Sequence, residues 1–254
     1  DDPEVHEVSV RKMLENHYRH LAEELGVVLL CPVFPRPASF NHIYTHALDR
    51  DSFTTGEVPY RRLDLQLNAM RDHAAQLLTQ TGHIMAPKAL ILGFSASGMF
   101  ANRYTFLHPE RVLAAAIGAP GGWPIAPVRT WKERGLSYPV GIADVEQITG
   151  QDIILDRLTS VPLFLFLGSA DENDSVLFDD GYDENQRELV IALFGRSPVD
   201  RWEPASRIYE MAGMNAQFRL YPEVGHTVAP EMIADVLRFF RQVIMDADHS
   251  RDFG

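Results

Sequence analysis

Cysteine is almost absent: the 254 residues contain one, Cys31, so no disulfide can form within them. That residue closes an apolar run, Val27–Cys31, and reads as a buried structural thiol. A lone thiol favours a soluble, cytoplasmic setting and leaves secretion open. Positive charge is also scarce. Lys and Arg number 23 against 35 Asp and Glu, a formal net charge of −12, which argues against nucleic acid and anionic membrane surfaces as partners. No apolar run approaches the length of a spanning helix, and the opening DDPEVHE has none of the features of a signal peptide. Internal repeats and low-complexity tracts are missing too.

What is present is an ordinary globular composition, 46% hydrophobic and 23% charged, in a chain long enough for one domain with a sizeable core. Five short apolar runs predict buried strands: Val27–Cys31, Ala89–Phe94, Val112–Ile117, Leu163–Leu167 and Gln217–Tyr221. Helical stripes lie around them. One comprises Val10, Leu14, Tyr18, Leu21 and Leu25, another Leu63, Leu67, Met70, Ala74 and Leu77, and a third Ile233, Leu237, Phe240 and Ile244. Strands alternating with helices predict an α/β fold with a mostly parallel sheet covered on both faces. Two long connections, about 118–162 and 168–216, are candidate cap or specificity elements. The second holds an acidic stretch, Asp171 to Glu184, that reads as a solvated loop, since its spacing does not match a calcium-binding loop.

Chemistry concentrates at three strand ends. In Gly93-Phe94-Ser95-Ala96-Ser97-Gly98 an apolar strand runs into a helical segment. A serine becomes nucleophilic when it is exposed and given a base and an anion site. A sharp strand-to-helix turn supplies the exposure and needs small residues two before and two after the serine. Gly93 and Ser97 meet that need for Ser95, whereas a frame centred on Ser97 would put Met99 where a small residue belongs. Ala96 N–H, at the helix start, is a candidate oxyanion donor. The second end, after Leu163–Leu167, brings Asp171, with Asp174 as the rival acid. The third, after Gln217–Tyr221, brings His226 behind a glycine. An acid can orient and stabilise a histidine, which in turn can deprotonate the serine. Phe34, Tyr44, Phe94 and Trp123 are candidate substrate contacts, and His42 and His46 pocket or surface residues. No metal-ligating set stands out.

The chain order Ser, Asp, His is that of α/β-hydrolases. With the segments LAEELGVVLLCPVFP, LILGFSASGMFANRYTFLHPERVLAAAIGAPG, PLFLFLGSADEND and LYPEVGHT, the sequence resembles that superfamily. Within it, the sequence is similar to polyhydroxybutyrate-depolymerase-like and feruloyl-esterase-like proteins. The resemblance implies cofactor-free hydrolysis of an ester or related acyl bond in a small molecule or polymer. Acyl transfer by the same triad, or a silent binding protein on the same fold, are the alternatives. Residues 1–254 are expected to form one such domain lacking its first strands, including the one that carries the family's second oxyanion donor. A longer protein or a separate N-terminal fragment would complete it, or the sheet has closed up without it. Residues around Asp1 and Asp2, or what precedes them, are expected to line that half of the oxyanion site.

Overall fold

The computed structural model describes residues 8–252 except 9, 13, 37, 41 and 180. The apolar runs become strands β1 (Ala89–Phe94) and β2 (Val112–Gly118), followed by a two-rung antiparallel pair, β3 (Thr130–Trp131) and β4 (Arg134–Gly135), and then β5 (Leu163–Gly168) and β6 (Ala216–Tyr221). The main sheet has the order β1-β2-β5-β6, and every neighbouring pair is parallel. Its longer helices are α1 (Arg19–Leu25), α2 (Leu63–Gln80), α3 (Ala96–Leu107), α4 (Glu184–Phe194), α5 (Trp202–Met211) and α6 (Pro230–Asp252).

The middle strands explain the two covered faces. On β2, Ala115 and Ile117 join Leu67, Phe100, Tyr104 and Tyr209 in one core. Ala114 and Ala116, pointing the other way, join Leu21, Met232, Val236 and Phe240 in another. The alternation is the period-2 geometry of a strand. Helices α2, α3 and α5 therefore cover one face, and α1 and α6 the other, each buried aliphatic or aromatic side chain contributing roughly 1.5–3 kcal/mol. On α6 the buried stripe is Met232, Val236 and Phe240, one residue earlier than the predicted Ile233 and Leu237, which flank it half-buried. Among the described residues no helix is long and apolar enough to cross a membrane.

One predicted strand is corrected. Val27–Cys31 is irregular, and Val27, Val28, Leu29 and Leu30 keep 41–55% of their surface exposed. A β-prone run becomes a strand only beside a ladder partner, and β1, the edge of the described sheet, pairs with β2 alone. Cys31 is consequently exposed, not buried. The long connections are also more than loops. Trp123 and Val140 from the first and Val176, Tyr182, Val190, Phe194 and Ile208 from the second form a shared buried cluster.

The strand register positions the site. Phe94 lies beside Gly118, Gly118 beside Phe166, and Gly168 beside Tyr221. The C-terminal ends of β1, β5 and β6 thus open along one edge, the edge where parallel sheets collect functional residues.

Candidate active site

Ser95 follows directly on Phe94 at φ 58°, ψ −125°, backbone space that a residue with a Cβ enters only at a cost of order 1–3 kcal/mol. Four hydrogen bonds impose it. Ser95 N–H extends the β1–β2 ladder to Gly118 O at 2.9 Å, and Met99 N–H reaches Ser95 O at 2.9 Å to start α3. The Ser97 hydroxyl donates to Phe94 O at 2.8 Å and accepts from Phe94 N–H at 3.0 Å. Ser97 is thereby occupied with the backbone of the turn while Ser95 is not. A Cβ on Gly93 would lie 2.0 Å from Ser97 O, and one on Gly98 would lie 2.3 Å from Gly118 O. The turn is as tight as the sequence pattern requires.

The loops carrying the acid and the histidine are laced together. Ala170 N–H donates to Val224 O at 2.9 Å, and Glu223 N–H donates to Ser169 Oγ at 2.9 Å. Gly168 permits this approach, because a Cβ there would stand 2.1 Å from Val224 O. His226 Nδ1 lies 2.9 Å from Asp171 Oδ2 and 3.1 Å from Oδ1. Its Nε2 lies 2.9 Å from Ser95 Oγ. Asp171 is buried at 3% exposure, and the His226 side chain keeps 27% of its surface open. A carboxylate against Nδ1 selects the tautomer with its proton there, leaving the Nε2 lone pair facing the serine hydroxyl.

Of the two candidate acids, the one against the imidazole is Asp171. Asp174 faces the other way. It is buried at 4% exposure, its Oδ1 accepts from Arg201 Nη1 at 2.7 Å, and Arg201 is fully buried. The same guanidinium donates to Gly195 O at 2.9 Å, Arg196 O at 3.1 Å and Gly122 O at 3.3 Å. Arg201 thus ties the acid loop to the segment after β2. Two other acids of the 171–184 stretch have separate duties. Asp183 caps α4, and Asp179 pairs with Arg187. Among the described residues, no three His, Cys, Asp or Glu side chains are grouped to hold a metal ion.

The aromatic candidates divide. The Phe94 ring lies 5.0 Å from that of His226 and borders the site. Tyr44 is half-buried beneath the Arg36 guanidinium, 4.2 Å from its ring centre. Phe34 and Trp123 are core residues instead of pocket walls. Phe34 is 6% exposed and stacks on Phe100 at 5.4 Å. Trp123 is 1% exposed, stacks on Phe194 at 4.0 Å and donates its indole N–H to Val140 O. Both follow strand-like runs, but Phe100 of α3 packs on the first and Phe194 of α4 on the second. His42 is exposed, and half-buried His46 contacts Phe34 O through Nε2 at 2.8 Å. Ala96 opens α3, ahead of the helix's first internal hydrogen bond. Asp1 and Asp2 lie outside the described residues.

Two contributors carry no local sequence signal. Arg201 is 27 positions from its carboxylate. Asn173, whose side-chain nitrogen lies 2.8 Å from His226 Nε2, stands two residues past Asp171 in a stretch that reads only as polar.

No protein-family model and no curated protein sequence matches the chain. Solved structures do. Arabidopsis thaliana SOBER1 is 15% identical with a TM-score of 0.38, over 70% of this chain and 64% of that one. Poly(aspartic acid) hydrolase-1 from Sphingomonas sp. KT-1 is 19% identical with a TM-score of 0.48, over 76% and 67%. LpqC, a poly(3-hydroxybutyrate) depolymerase from Bordetella parapertussis, is 21% identical with a TM-score of 0.36, over 55% and 45%. The chain therefore spans just under two thirds of the length of SOBER1. The α/β assignment itself rests on the parallel sheet, its covered faces and the strand-end turn.

Proposed function

We propose that this chain is a serine hydrolase that cleaves an ester or related acyl bond. The observation that carries the proposal is the continuous contact chain from Ser95 Oγ through His226 to Asp171, each link at 2.9 Å, on a strained strand-to-helix turn. In this reading Ser95 Oγ attacks the acyl carbonyl while Nε2 of His226 takes its proton. The proton passes to the departing alkoxide as its bond to the acyl carbon breaks. Water then attacks the acyl-enzyme, giving its proton to Nε2, and that proton returns to Ser95 as the ester to the serine is released. Asp171 holds the imidazole and stabilises its cationic form. Ala96 N–H, at the positive end of α3, contributes to holding the oxyanion.

Several features support the site assignment. Ser97, the competing hydroxyl, is engaged with Phe94, and Asp174, the competing acid, is neutralised by Arg201. Phe94 supplies an apolar wall beside the imidazole. The connections 118–162 and 168–216 act as the cap that sets specificity, toward small-molecule or polymer esters.

The test is hydrolysis of p-nitrophenyl esters of increasing acyl length by the parent chain and Ser95→Ala. Turnover that disappears in the variant is expected. Equal rates in the two proteins would refute the assignment. Release of an acylated alcohol when one is added would move the reading to acyl transfer.

A further inference from the structure

Two donors converge on one acceptor in this site. In the tautomer set by Asp171, His226 Nε2 has a single in-plane lone pair. Ser95 Oγ stands 2.9 Å from it, and Asn173 Nδ2 stands 2.8 Å from it. The placement of Asn173 is built. Its backbone N–H donates to Asp171 Oδ1 at 2.9 Å, and the next residue, Asp174, is held by buried Arg201. One residue therefore grips the carboxylate at the Nδ1 end of the imidazole with its backbone and reaches the Nε2 end with its side chain.

Resting on the serine-hydrolase reading above, we propose that Asn173 is a positioning residue that sets the proton affinity of His226. An amide N–H pointed at Nε2 stabilises the neutral imidazole and opposes the imidazolium. The amide thus competes with a proton for the Nε2 lone pair. Among the described residues, Asp171, from the end of β5, is the charged group in contact with the ring. Ser95 and Phe94, from the end of β1, and Asn173 are neutral. Glu172 and Glu223, in the two loops, are exposed. The same contact imposes a step before attack, since Asn173 must release the lone pair for Ser95 to use it. Once Nε2 is protonated the amide has to turn away or present Oδ1.

The experiment is a pH titration of the His226 ring by NMR in the whole chain, assigned with His226→Asn, alongside kcat/KM against pH for p-nitrophenyl acetate. Removing one neutral hydrogen bond to the unprotonated form in Asn173→Ala is expected to raise the His226 midpoint by about half to one pH unit. The acid limb of kcat/KM should move with it, and the high-pH plateau should rise, because Ser95 no longer shares the lone pair. Asn173→Asp should raise the midpoint further, because a carboxylate favours the imidazolium, and Asn173→Gln should restore part of the parent value. Asn173 is exposed, and thermal unfolding of each variant reports its folding. An unchanged midpoint in Asn173→Ala would overturn the proposal. So would a lowered one, which would mean that Oδ1 faces the imidazolium. The NMR midpoint decides the role of Asn173 even if Ser95→Ala hydrolyses as fast as the parent, a result that would sink the hydrolase reading alone.

Discussion

Gly93 offers the sharpest mechanical test of the turn. Its φ is ordinary, so a substitution there acts through space alone. The Cβ of Gly93→Ala would meet three backbone atoms of the first turn of α3: Ser97 O at 2.0 Å, Ser97 C at 2.4 Å and Gly98 N at 2.8 Å. No side-chain rotation relieves contacts with backbone. Opening the first of them to an ordinary 3.4 Å needs a displacement of about 1.4 Å between β1 and α3. Overpacking of this kind costs about 1–3 kcal/mol, roughly 2–12 °C in melting temperature for a chain of this size. The consequence for rate is larger. Ser95 sits between Gly93 and the displaced turn, and its hydroxyl is 2.9 Å from His226 Nε2. A misplacement of about 1 Å lowers turnover by roughly 10²-fold. Differential scanning calorimetry and p-nitrophenyl ester hydrolysis should show both losses in Gly93→Ala. Gly56→Ala, whose Cβ would meet nothing within 4 Å, should show neither. Parent-like rate and stability in Gly93→Ala would refute the steric account of the turn.

The two acids should separate activity from stability. Asp171→Asn is expected to lower kcat by roughly 10³–10⁴-fold with a small change in melting temperature. Asp174→Asn leaves Arg201 buried without its counter-charge, and equilibrium denaturation should show a loss of about 3–5 kcal/mol. Asp49 gives a pH signature. It is 2% exposed, and burial pushes its carboxyl up to about 7 despite the N–H groups of Tyr44 and Ser52 that it accepts. Between its unfolded value and pH 7 the folded chain holds a proton that the unfolded chain has lost. Its contribution to stability is therefore fully present below about pH 4 and falls by up to about 1.4 kcal/mol per pH unit until near pH 7. Urea denaturation across that range should show a slope that Asp49→Asn flattens.

The parts of the molecule legible in the sequence were those written in local pattern. Buried parallel strands are short apolar runs whatever surrounds them, so Ala89–Phe94 and Leu163–Leu167 could be read directly. The turn at Ser95 could be read because its small neighbours are fixed by backbone crowding, as Gly93 and Gly98 show. Pattern fails where a partner decides. Val27–Cys31 has strand composition and no ladder, so it stays irregular and leaves Cys31 exposed. Trp123 and Phe34 follow strand-like runs, yet Phe194 and Phe100 cover them. Asp174 is paired with Arg201, a residue no local window contains. Asn173 was hidden for a related reason, since its reach to His226 spans 53 positions.

The most direct measurement of the central claim is covalent labelling with a fluorophosphonate, read by intact mass and peptide mapping. An activated serine nucleophile is expected to take up one equivalent on Ser95 in the parent and in Ser97→Ala, and none in Ser95→Ala. Label on Ser97, or a folded parent chain that takes up none, would contradict the assignment of Ser95 as nucleophile.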